Sequence, residues 1–150
     1  MKSAKKSLES GLELKGRKLA KNFSADEFAC KNCLKEGVYY NKIKIGFVEE
    51  LQKIRDKLRQ PLLVTSGTRC PHHNIKEGGH KNSAHLEGLA VDIFSKKVSI
   101  TQIYRAAEEI NFFTGMGTYP EYKRKVVHLD ILQTRFQRWV KRYGKYHYLF

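Results

Sequence analysis

The sequence is short of the features that mark several common protein classes. No uninterrupted apolar run approaches the roughly 18 residues of a membrane-spanning helix, so no such span is expected. Acidic residues are scarce, with 15 Asp and Glu against 29 Lys and Arg. There are only three cysteines, an odd number, which argues against a full disulfide framework. No glycine-rich phosphate loop follows an expected strand, which leaves nucleotide binding without support. The basic N-terminus lacks both an apolar h-region and a small-residue cleavage site. A Sec signal peptide is therefore not expected, and synthesis in the cytoplasm is. Internal repeats and low-complexity segments are also missing.

What is present describes an ordinary folding unit. The 150 residues are 41% hydrophobic and 29% charged, enough for one domain with a core, expected to be a monomer. The net charge of +14 favours a polyanionic partner such as nucleic acid, anionic lipid or a bacterial wall. It concentrates at the ends. Residues 1–22 hold seven Lys/Arg against two Glu, and residues 121–150 hold eight against Glu121 and Asp130. The first 22 residues read as a basic extension in which Leu8, Leu12, Leu14 and Leu19 sketch a ragged amphipathic helix, with the domain proper at 23–150. The tail interleaves basic residues with aromatics, but a solvated or wall-facing surface accounts for this better than a nucleic-acid interface, and no nucleic acid is expected.

Local signals place the elements. Ser24 and Glu27 form a capping box flanked by Phe23 and Phe28. Ile43, Phe47, Leu51, Ile54 and Leu58 recur at spacings of four, four, three and four, one face of a helix that ends at Pro61. Leu62 to Thr65 reads as a buried strand, and residues 66–82 as a loop. Gly88 to Phe94 is a second strand, and Ser99 with Gln102 caps a second helix. Strands are expected again over Phe112–Tyr119 and Lys125–Leu132. The order helix, strand, strand, helix, strand, strand implies an α+β domain with a small, mainly antiparallel sheet packed by helices.

Polar residues interrupt two of the apolar strands. His85 precedes Asp92 by seven residues, and Asp92 lies within Leu-Ala-Val-Asp-Ile-Phe. His128 lies within Val-Val-His-Leu. Each alone reads as a satisfied core group, but a buried carboxylate needs a partner or a metal. Three such groups could together hold one zinc ion, which in catalytic sites takes three protein ligands and leaves a position for water. Asp130, two residues beyond His128, faces the same side of a regular strand.

The run Ser66-Gly67-Thr68-Arg69, Asn74, Gly78-Gly79, Ser83 to Asp92, and Val127-His128-Leu129-Asp130 resembles the zinc D-alanyl-D-alanine carboxypeptidase family, which includes phage endolysin peptidases and shares a fold with the hedgehog signalling domain. The likeness covers Phe23 to Trp139. It implies a zinc peptidase of bacterial peptidoglycan, a carboxypeptidase or an endolysin-type endopeptidase, with His85, Asp92 and His128 as Zn2+ ligands. It further implies Arg69 as the binder of a substrate carboxylate or developing oxyanion, and Ser83 as a substrate contact. An enzyme of this kind without a Sec signal suits a phage-borne or virion-associated role at the cell wall. Many members place an acid three residues before the last histidine, where this chain has Lys125. Asp130 is then the candidate general base, or else a carboxylate that orients a ligand histidine, with Glu121 behind it. An inactive, zinc-containing wall-binding module of the same fold is the alternative. Finally, Cys30-x-x-Cys33 and Cys70-x-x-His73 have structural-zinc spacing. An oxidised cysteine pair and three unrelated thiols are the competing readings.

Overall fold

The structure, a computed structural model, describes residues 9–132 and 136–149. Among the described residues, eight strands and four α-helices follow in order. The strands are β1 (Lys18–Ala20), β2 (Phe23–Ser24), β3 (Leu63–Ser66), β4 (Ala90–Phe94), β5 (Gly115–Tyr119), β6 (Val126–Asp130), β7 (Gln137–Arg142) and β8 (Lys145–Tyr148). The helices are α1 (Lys31–Lys35), α2 (Ile45–Leu58), α3 (Pro71–Lys76) and α4 (Ile100–Ile110). β1 and β2 form a small antiparallel ladder. The other six strands make one sheet in the order β3-β4-β6-β5-β7-β8. Only β5 and β7 run parallel, so the expected α+β class with a mainly antiparallel sheet is the one found.

The period-2 alternation of the central strands separates two faces of the sheet. Val91 and Ile93 of β4 and Val127 and Leu129 of β6 are fully buried and join Phe47, Leu51 and Ile54 of α2 and Ile103 and Ala107 of α4 in the main core. Burying one such side chain stabilises by roughly 1.5–3 kcal/mol. Phe47 meets Phe113 edge-on at 5.4 Å between ring centroids, which ties α2 to the approach of β5. The opposite face of the same strands carries the polar residues.

Helix ends follow the local sequence signals. Ser99 and Gln102 close a reciprocal capping box on α4, and Ser24 and Glu27 close one on a 3-10 turn. α2 ends with Arg59 in the left-handed region, two residues before Pro61.

The structure departs from the sequence expectations at several points. The ragged helix of residues 1–22 is, from residue 9 onward, a 3-10 turn at Leu12–Leu14 followed by β1; Leu8 lies outside the described residues. Leu14 and Leu19 belong to the main core, so a domain boundary at residue 22 would cut through packed structure. The stretch 66–82 contains α3, which Pro71 starts at the first helical position, where its missing N–H costs nothing. The basic aromatic tail is a hairpin, β7 and β8, that widens the sheet, with Phe150 outside the described residues. A basic aromatic sequence reads as surface because one face of this hairpin is exposed; pairing of β7 with β5 depends on a partner 22 residues away in sequence.

Candidate functional site

β4 and β6 pair so that Asp92 sits directly opposite His128, and Ala90 opposite Asp130. Cross-strand neighbours on one face are within side-chain reach. The sheet register therefore brings Asp92 Oδ1 to 2.9 Å from His128 Nδ1, while Asp130, two residues along the same strand and on the same face, places Oδ2 2.8 Å from His128 Nε2. His85 arrives from a separate segment, the 3-10 turn Ala84–Glu87. Ser83 caps that turn by accepting a hydrogen bond from the His85 amide at 3.2 Å. Gly88 ends the turn at φ +70°, pressed against the Lys42 carbonyl, where no side chain would fit.

The ring of His85 is held from behind. Its Nδ1–H donates to the Gly67 carbonyl at 2.7 Å, which turns Nε2 toward Asp92 Oδ2, 3.5 Å away. Backbone fixation of one ring nitrogen is the usual way a ligating histidine is oriented. His85, Asp92 and His128 each offer one ligand atom, all within 4.8 Å of one another, so the three can hold a metal ion. Without a cation the same atoms form an ion-pair network. Burial alone would lower the His128 pKa, but hydrogen bonds to Asp130 and Asp92 outweigh it and raise the value to about 9. Burial likewise pushes Asp92 upward, yet the charge of His85 and the hydrogen bond from His128 hold its carboxyl far below the usual range.

Asp130 is committed through both oxygens. Oδ2 faces His128 and Oδ1 accepts from the Leu132 amide at 3.3 Å. Gly115 lies opposite it on β5, and a β-carbon there would collide with the carboxylate. Glu121 is engaged elsewhere, accepting from the Tyr143 amide at 2.8 Å.

These groups open into a cleft of about 700 Å³ lined by Arg69, His80, Ser83, Tyr119, Trp139 and Tyr146 among others. Arg69 points into it with neutral partners only. Nη1 donates to Asn74 Oδ1 at 3.0 Å and Nη2 to Ser66 Oγ at 3.3 Å, and it forms no salt bridge among the described residues. The β7–β8 hairpin supplies a wall that sequence reasoning missed. Trp139 lies 5.3 Å from the His128 ring and donates Nε1–H to the Tyr119 hydroxyl at 3.3 Å, while Tyr146 lies 6.1 Å from His80. The lone tryptophan in a basic tail was the available signal.

A second cluster stands beside this one. Cys30, Cys33, Cys70 and His73 are all buried, and their ligand atoms also lie within 4.8 Å of one another. Burial, reinforced by the Cys30 and Cys70 thiols, pushes the Cys33 thiol well above its ordinary value.

Comparison with solved structures finds a likeness to the Serratia marcescens L-Ala D-Glu endopeptidase ChiX at 20% identity, covering 60% of this chain and 80% of that one, with a TM-score of 0.39. A search among curated proteins returns no match. The model of the family described as Peptidase M15 matches residues 21–130, which takes in β2 to β6 and every polar residue of the His85, Asp92 and His128 cluster. The chain belongs to the Peptidase M15 family.

Proposed function

We propose that the protein is a zinc-dependent peptidase acting on the peptides of bacterial peptidoglycan, as a carboxypeptidase or as an endolysin-type endopeptidase. The convergence of His85, Asp92 and His128 carries this reading, because two imidazoles and one carboxylate are a ligand set that zinc accepts with a fourth position open. Zinc held there supplies Lewis acidity and a nucleophile available near neutral pH. The chain supplies the rest. Arg69 offers a permanent charge and a planar fork to a terminal carboxylate or to the developing oxyanion. Ser83 lines the cleft while it caps the turn that carries His85. Asp130 is read as a positioning residue that holds His128 through Nε2, since its Oδ2 faces that ring and its Oδ1 accepts from the Leu132 amide. Trp139 packs on the His128 ring from the cleft side. The net charge of +14 suits an anionic wall, reached in this reading by a phage- or virion-associated enzyme.

The test is digestion of purified peptidoglycan by the wild-type chain, with a chelator, with zinc restored, and with His85→Ala. Soluble peptides are expected from the zinc-loaded wild type only, and mass spectrometry of them identifies the scissile bond. Hydrolysis unaffected by both chelator and His85→Ala would remove the proposal. Lys125, standing where many relatives have an acid, favours one rival, a binding module without turnover. Sedimentation with the wall in the absence of any released peptide would establish it.

A further inference from the structure

We propose that Cys30, Cys33, Cys70 and His73 bind a second zinc ion, structural rather than catalytic, which pins the segment carrying Arg69 against α1. All three sulfurs converge on one nitrogen. His73 Nδ1 lies 3.8 Å from Cys30 Sγ, 3.5 Å from Cys33 Sγ and 2.8 Å from Cys70 Sγ. The other ring nitrogen, Nε2, faces Glu36 Oε1 at 3.2 Å, the carboxylate support typical of a metal-bound histidine. With Nε2 donating to Glu36, Nδ1 has a single lone pair and can accept from only one of three thiols. A disulfide would use two sulfurs and strand the third beside the histidine. A tetrahedral cation uses all four groups, and with zinc–sulfur bonds of about 2.3 Å and zinc–nitrogen bonds of about 2.0 Å it needs sulfur–nitrogen separations near 3.5 Å.

The placement is that of a closed site. Relative exposures of 1%, 2%, 2% and 3% for Cys30, Cys33, Cys70 and His73 leave no room for a substrate. The ligands come from two local pairs forty residues apart. Cys30 and Cys33 flank the start of α1, and Cys70 caps α3 by accepting from the His73 amide at 3.4 Å. The segment between β3 and Cys70 is thus held at its C-terminal end by the ion. That segment makes two contacts to His85 and one to the stretch that leads into α1. The Gly67 carbonyl orients His85, the Thr68 amide donates to the Phe28 carbonyl at 2.7 Å, and the Arg69 amide donates to the His85 carbonyl at 3.0 Å.

Metal counting on the full chain separates the two sites. Wild type is expected to hold two zinc equivalents, and His85→Ala, which breaks the catalytic cluster, one. Cobalt-loaded His85→Ala should show an intense thiolate-to-cobalt charge-transfer band, and Cys70→Ser should lose that band. A His85→Ala protein that binds no metal, that lacks the band, or whose non-reduced mass shows a cysteine–cysteine disulfide would overturn the proposal, whether or not Cys70→Ser folds. The count is independent of the peptidase reading; the positioning of Arg69 rests on it. For that part, Cys70→Ser should lose hydrogen-exchange protection at the Thr68 and Arg69 amides and raise KM more than it lowers kcat. Unchanged protection at both amides would overturn the positioning role.

Discussion

The two clusters use similar donors to opposite ends. Asp92 and His128 on one face of the sheet meet His85 from the neighbouring turn and look into the cleft, with 19% of the Asp92 side chain and 11% of the His128 side chain exposed. Cys30, Cys33, Cys70 and His73 are sealed by two short helices and a loop. The first offers three ligands and an open side, the second four and none. Zinc sites divide along the same line, with catalytic sites keeping a position for water and structural sites filling it with protein. Burial and donor count thus suit the first cluster to the proposed chemistry and the second to the proposed scaffolding. The clusters are also mechanically joined, since the strand end that supports His85 through Gly67 runs directly into Cys70.

The comparison breaks most visibly under a chelator. Activity should vanish while the fold persists, because the open site gives up its ion first; the melting temperature should fall only in a second step, as the thiolate site empties. A single coincident step in activity and in thermal unfolding would mean that the two sites do not differ as described. Next in size is Asp130→Asn. Loss of the carboxylate behind His128 should weaken zinc at the open site by about 10- to 100-fold in a competition titration and leave the thiolate site untouched. A smaller effect is expected from Arg69→Lys, which keeps the charge but loses the fork. Hydrogen bonds to charged groups are worth about 1.5–3 kcal/mol, so KM should rise by about tenfold or more with the metal content unchanged.

The smallest effect is a pH dependence confined to metal-free protein. His128 is raised from 6.5 to about 9, so its contribution to stability is fully present below about 6.5 and is lost as pH rises through about 9. Asp92 is depressed, and its contribution holds above its ordinary value of 3.8 and fails only in stronger acid. Melting temperatures of the metal-free chain should decline between pH 6.5 and 9, and His128→Gln should flatten that decline. Zinc at this site competes with the same proton, so its affinity should rise over the window in which the metal-free fold weakens.

Much of this was legible in the chain before folding. The spacing of Phe47, Leu51 and Ile54 gave the buried face of α2, and the capping boxes at Ser24 and Ser99 sit where local hydrogen bonding puts them. Asp92 and His128 announced themselves as polar residues within apolar strands, and the structure sets them face to face. Other features were not legible. α3 hid in a run rich in glycine and histidine because tertiary contacts, not periodicity, stabilise a helix of six residues. β7 and β8 hid because their aromatics are split between the cleft and solvent, which blurs the alternation a strand would show.

Side-chain type and near spacing determined which residues could be ligands: a carboxylate at a buried strand position, histidines beside it, and two paired donors three residues apart. Those are local properties, set by the period of a strand or the pitch of a turn. Tertiary structure decided which atoms meet. Only the pairing of β4 with β6 brings Asp92 to Nδ1 of His128, whose Nε2 faces Asp130 two residues along the same strand. Only the approach of α3 to α1 closes two half-sites into one, and only the parallel pairing of β7 with β5 brings Trp139 to the cleft. Such contacts span tens of residues, and their free energy comes from the whole packed sheet rather than from any stretch of the chain.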